Sequence, residues 1–78
     1  MIVISKATDS VYKDRNSIFD LGLTIPTDVT QLYFDGTNGW IEKTDGSREN
    51  IAALPTWANE CVAIYETAVG PIPPELIQ

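Results

Sequence analysis

Apolar and polar positions alternate most regularly in the middle of the chain. Val29 to Asp35 (V-T-Q-L-Y-F-D) is rich in β-branched and aromatic residues, and Gly36-Thr37-Asn38-Gly39 is turn chemistry. Trp40 to Thr44 (W-I-E-K-T) reads as a second strand. Asp45-Gly46-Ser47 makes another turn, after which Arg48 to Ile51 begins a third strand or the approach to a helix. This is an antiparallel meander in sequence form. Alternation places Leu32 and Phe34 on one face and Tyr33, with Val29, on the other, while Trp40 and Ile41 point apart. Two hairpin registers compete. A four-residue loop over 36–39 pairs Asp35 with Trp40 and sets Phe34 opposite Ile41; a two-residue Asn38-Gly39 turn sets Phe34 opposite Lys43. The first keeps apolar groups together and is preferred.

The flanks read differently. Met1 to Ser5 is a short β-branched run and predicts a first strand. Lys6 to Asn16 is polar and charged; Thr8-Asp9-Ser10 suits the cap of a helical turn carrying Val11 and Tyr12, and a long loop fits equally. Ile18 to Leu23 is apolar again but broken at Gly22, and Pro26 imposes an extended or turn conformation before Asp28. From Thr56 the period changes to that of a helix, with Thr56 as a cap behind Pro55. Trp57, Cys61, Ile64, Tyr65 and Ala68 form one apolar stripe, and Asn59, Glu60, Glu66 and Thr67 supply the opposite face. Gly70-Pro71 ends this helix. Pro71 to Gln78 cannot be helical through its prolines and predicts an extended, polyproline-like arm.

The expected fold class is therefore α+β: a small antiparallel β-meander of three to four strands packed against one C-terminal amphipathic helix. Residues 1–70 make a single domain and 71–78 the Pro-rich arm. At 78 residues the chain buries only about 60–65% of its unfolded surface, so an isolated monomer is marginal. The usual remedies are missing. Cys61 is the sole cysteine and histidine is absent, which removes an internal disulfide and a structural zinc site together.

Charge narrows the partners. Five Lys and Arg against eleven Asp and Glu give a net charge of -6, which repels phosphate backbones, so nucleic acid is not an expected partner. Asp9, Asp14, Asp20, Asp28 and Asp35 are dispersed, so imitation of DNA is poorly supported and a solvated acidic surface is the simpler reading. The start lacks the features of a signal peptide, and no apolar run approaches a membrane span. The chain is expected to be soluble and made in a cytoplasm, with one unpaired cysteine fitting a reducing compartment, and no membrane partner is expected.

Catalytic chemistry finds little to work with. Without histidine no Ser-His-Asp or Cys-His arrangement can be built, and Cys61 reads as a small buried hydrophobe. Asp35 to Gly39 resembles half a calcium loop but lacks the alternating acidic ligands. Asp35 with Glu42 across the hairpin is a possible carboxylate pair, although eleven acids make some such pair inevitable. The expectation is no enzyme, no cofactor and no metal.

Surfaces remain. One helix covers one face of a small sheet; either the N-terminal segment covers the second, or Tyr33 and Trp40 are left for a partner. The Pro71-x-x-Pro74 spacing matches a polyproline ligand as well as a frayed terminus, and Leu76-Ile77 is apolar enough to dock on a neighbouring subunit. The candidate interaction residues are thus Tyr33, Trp40, Pro71, Pro73, Pro74, Leu76 and Ile77.

Asp35, Gly36, Thr37, Gly39, Trp40, Ile41, Glu42, Asp45 and Gly46, followed by Leu54, Pro55 and Trp57, form a "DGT-G-W-I-E…DG" hairpin and an "LP-W" helix. This pattern resembles small uncharacterised proteins of tailed bacteriophages encoded among tail and tail-fibre genes. The resemblance covers about half the chain and leaves the first 28 residues and the Pro-rich end outside it. It implies a virion or tail-associated structural or accessory component that oligomerises or docks on a larger protein. The competing implication is a small acidic phage inhibitor that blocks a host protein such as a defence nuclease.

Overall fold

A computed structural model describes residues 1–13 and 15–69. Seven elements follow in order: β1 (Ile2–Ser5), β2 (Ser10–Lys13), β3 (Asn16–Ile18), β4 (Val29–Phe34), β5 (Gly39–Lys43), β6 (Arg48–Ile51) and α1 (Thr56–Val69). The strands form one antiparallel sheet of order β3-β2-β1-β4-β5-β6. Two three-stranded meanders thus join where β1 pairs with β4. The class is α+β as expected, but the sheet has six strands rather than three or four.

The additional strands are β2 and β3. The segment from Lys6 to Asn16, expected as a helical turn or a loop, contains β2 and the start of β3. Each offers a single large apolar residue to the core side, Val11 and Ile18, and these pair directly. Asp9 and Arg15, with φ of 51° and 68°, sit at the two turns that bracket β2. Such positive-φ positions are uncommon without glycine, so these turns carry a weak sequence signal.

The core follows one register row. Ile18, Val11, Ile4, Leu32 and Ile41 lie side by side across five strands. All but Ile18 are buried, and Ala58, Cys61 and Tyr65 of α1 join them in a single cluster. Leu21, Leu23 and Ile25, from the segment that connects β3 to β4, pack on the same cluster. The carboxylate of Asp9 holds that segment, accepting N–H bonds from Gly22 at 2.6 Å and Leu23 at 2.8 Å. Its own carbonyl accepts the Leu21 N–H at 3.0 Å. Three consecutive backbone donors therefore converge on one residue, which explains why an aspartate rather than a cap is needed there.

Three local expectations need correction. First, neither hairpin register considered above occurs. The loop spans 35–38, pairing Phe34 with Gly39, Tyr33 with Trp40 and Leu32 with Ile41. The Asp35 carboxylate closes it by accepting the Thr37 and Asn38 N–H groups, both at 2.8 Å. Leu32 opposite Ile41 places two fully core-facing residues together, an apolar match that the Phe34–Ile41 register also offered. Second, Val29 is buried rather than facing away with Tyr33, because a bulge between Val29 and Gln31 shifts the alternation by one residue. Third, the buried stripe of α1 is Ala58, Cys61 and Tyr65, while Trp57 and Ile64 are half-buried and Ala68 is exposed. Thr56 begins the helix, and the carbonyl of Pro55 accepts the first bonds, from Ala58 at 3.0 Å and Asn59 at 3.1 Å.

The helix runs to the β2 side of the sheet. There the Tyr65 hydroxyl donates to the Lys13 carbonyl at 3.0 Å, and the Lys13 ammonium pairs with the Glu66 carboxylate. Burial raises the Cys61 thiol above its ordinary pKa, with the charges of Glu60 and Asp9 adding to the effect. The predicted Pro-rich arm lies outside the described residues.

Candidate functional site

The N-terminal segment does not cover the second face of the sheet. It enters the sheet as β1, between β2 and β4. The helix and the 19–28 connection both pack on the core side, so the other side is defined by what the strands project there. The register aligns Ser17, Tyr12, Val3, Tyr33, Trp40 and Asn50 across all six strands on that side. A second row beside it comprises Ser10, Ser5, Gln31, Glu42 and Arg48.

The centre of the first row is apolar and aromatic. Tyr12, Val3, Tyr33 and Trp40 are each half-buried and belong to no part of the core cluster. Tyr33 and Trp40 stack with ring centroids 5.7 Å apart and an interplanar angle of 16°. From the β6 side the Arg48 guanidinium lies 4.1 Å from the centre of the Trp40 ring. Because β4 and β6 flank β5 on opposite sides, the indole is held between a phenol and a cation. Its ring is thus already engaged by Tyr33 and Arg48. Such a ladder is rigid and suits packing against side chains; it is poorly suited to stacking a flat sugar or base.

The polar row is internally paired. Glu42 meets Arg48 at 3.7 Å, and its carboxylate accepts from Thr30 at 3.3 Å and Gln31 at 3.4 Å. Glu42 is therefore not a partner for Asp35, whose carboxylate turns onto its own loop. Asp35 lies in the loop opposite Asn38, which stands four positions before Glu42 of β5 and so about 13 Å away along the chain. Asp35 is held below its ordinary carboxyl pKa by the N–H groups of Asn38 and Thr37, and Asp45 by the hydroxyl and N–H of Ser47. The same loop geometry leaves Asp35 closing a turn rather than opening a calcium loop. Among the described residues no group of three or more His, Cys, Asp or Glu side chains is placed to hold a metal ion.

Of the residues named from sequence, the fold brings Tyr33 and Trp40 into direct contact. Pro71, Pro73, Pro74, Leu76 and Ile77 lie outside the described residues. Val3, Tyr12 and Arg48 complete the surface and were not anticipated. The local alternation of Val3 with Ile2 and Ile4, and of Tyr12 with Val11, carried the signal for the first two, but only strand order places them beside Tyr33. Among the described residues no helix is long and apolar enough to cross a membrane. Comparison with family models, curated proteins and solved structures returns no match.

Proposed function

We propose that this chain is a non-enzymatic interaction protein of a tailed bacteriophage, a small virion or tail-associated component that docks through the Tyr33–Trp40 face. The observation carrying this reading is the aromatic row on the sheet side that neither α1 nor the 19–28 connection covers. Preorganised Tyr and Trp rings present large area with few rotors to freeze, which is how protein interfaces obtain most of their binding energy. The bacteriophage context rests on the hairpin and helix pattern from Asp35 to Trp57.

The rival reading, an acidic inhibitor of a host protein, calls for carboxylates free to meet a basic groove. Here Asp35 and Asp45 are turned onto donors of their own loops, and Asp9 onto the backbone of the 19–28 connection. Asp28 pairs with Lys43, and Glu42 pairs with Arg48. That internal use favours the structural role. The experiment is quantitative mass spectrometry of washed particles from phage encoding the wild-type chain or Trp40→Ala. Retention of the wild type at fixed stoichiometry, with loss of the variant, is expected. Absence of the wild-type chain from the particles rejects the virion role.

A further inference from the structure

We infer that the occupant of the Tyr33–Trp40 face is a second copy of this chain, packed sheet to sheet. This rests on the docking-face reading above and names its partner. Charge is the first reason. The chain carries a net charge of -6, yet the two rows of this face hold one acid and one base, Glu42 and Arg48, already joined at 3.7 Å. Two strongly acidic molecules repel over most of their surfaces, but here each presents a neutral face to the other.

Shape is the second reason. β1 and β4 form the middle of the six-stranded sheet. A two-fold axis along their boundary sets each β1 over the other copy's β4, so the small Val3 meets Tyr33 and Tyr12 meets Trp40. Small then opposes large at the centre, as packed sheets about 10 Å apart require. Size is the third. Six strands at about 4.8 Å spacing and roughly 16 Å length present about 400 Å² in projection. Counting side-chain relief, the pair buries about 1,000 Å² in total, at the lower edge for a specific interface. The expected complex is a weak, micromolar dimer, and it supplies burial that a chain of 78 residues without a disulfide otherwise lacks.

Sedimentation of the full chain over a micromolar to millimolar range tests this, together with Val3→Lys. The lysine lowers the net negative charge, so any loss of association cannot come from greater overall repulsion between the acidic copies and must arise at the face itself. The wild type is expected to move from the 8.6 kDa monomer to twice that mass. Val3→Lys, checked for folding by circular dichroism, should associate about a hundredfold more weakly or less, because each lysine would be buried unpaired. Raising the salt should strengthen the wild-type dimer or leave it unchanged, since screening relieves repulsion between acidic copies. A dimer that survives Val3→Lys overturns the inference, as does one that salt dissociates.

Should Val3→Lys fail to fold, hydroxyl-radical footprinting of the wild type decides. Tyr33 and Trp40 must become protected as concentration rises while Trp57, on the helix side, does not; unchanged reactivity at Tyr33 overturns the inference. A chain that stays monomeric also overturns it. If Trp40→Ala is nevertheless lost from particles, the docking face stands and only the second copy falls. If Trp40→Ala is retained as well, both readings fail together.

Discussion

Leu32 and Tyr33 are neighbours in sequence on opposite sides of the sheet, and truncating each to alanine separates core from surface. Leu32 is fully buried between Ile4 and Ile41, so Leu32→Ala leaves a cavity that the flanking strands cannot fill. Such substitutions cost about 2.7–5 kcal/mol. A domain of this length has about 4–12 kcal/mol of stability in total, so the loss is a large part of it. Tyr33 is half-buried and its defined ring contact is the stack on Trp40. Tyr33→Ala forfeits that pair, worth about 0.5–1.5 kcal/mol, with a modest area term besides. Urea unfolding at low micromolar concentration, followed by far-UV circular dichroism, measures both without relying on Trp40 emission. With a slope of about 1 kcal/mol per molar, the midpoint should fall by roughly 3 M or more for Leu32→Ala and by roughly 1 M for Tyr33→Ala. Equal costs at the two positions would refute the face assignment, because Tyr33 would then be packed inside the monomer and unavailable to a partner.

Other positions yield further expectations. A Cβ at Gly39 would collide with the Tyr33 carbonyl oxygen and lie 2.8 Å from Phe34 Cα, both backbone atoms, so Gly39→Ala should cost about 2 kcal/mol or more by urea unfolding and loosen the β4–β5 hairpin. Asp9→Ala removes the acceptor for Gly22 and Leu23 and should cost about 1–3 kcal/mol, with amide exchange at those two residues accelerated more than at Leu32, which opens only with the whole domain. The folded-state pKa values of Asp35 and Asp45 lie below the ordinary aspartate value of 3.8, so their contribution is complete above that value and is lost as pH falls through the lower folded values. Acid unfolding monitored below about pH 4 should therefore be shallower in the Asp35→Asn, Asp45→Asn double variant than in the wild type; identical profiles would contradict the turn geometry.

The parts legible in the sequence are those whose signal is local. Asp35-Gly36 and Asp45-Gly46 mark their turns because Gly36 and Gly46 adopt φ of 108° and 88°, which a side chain disfavours. The 3.6 period after Pro55 marks α1, and the strict alternation of Leu32, Tyr33 and Phe34 marks β4. The strands β2 and β3 escaped because each is short, offers one apolar residue to the core and is stabilised by the strand beside it rather than by its own propensity. Val29 escaped for a related reason: a bulge inserts one residue, and a period-two pattern then assigns the wrong face beyond it.

For the candidate site the division is the same. Tyr33 and Trp40 were recognisable as strand aromatics set apart from Leu32 and Ile41, but nothing local says which residues stand next to them. That depends on the antiparallel pairing of β1 with β4 across almost thirty residues of chain, which brings Val3 beside Tyr33 and Tyr12 beside Val3. It depends equally on α1 and the 19–28 connection choosing the same side of the sheet. The sequence alone determined that this small acidic chain forms an α+β domain with a central hairpin and one helix, because turn residues and apolar periodicity act over a few positions. The tertiary structure alone decided strand order, register and which sheet face remains uncovered, because those are set by long-range pairing and by the packing of elements that meet only in the folded chain.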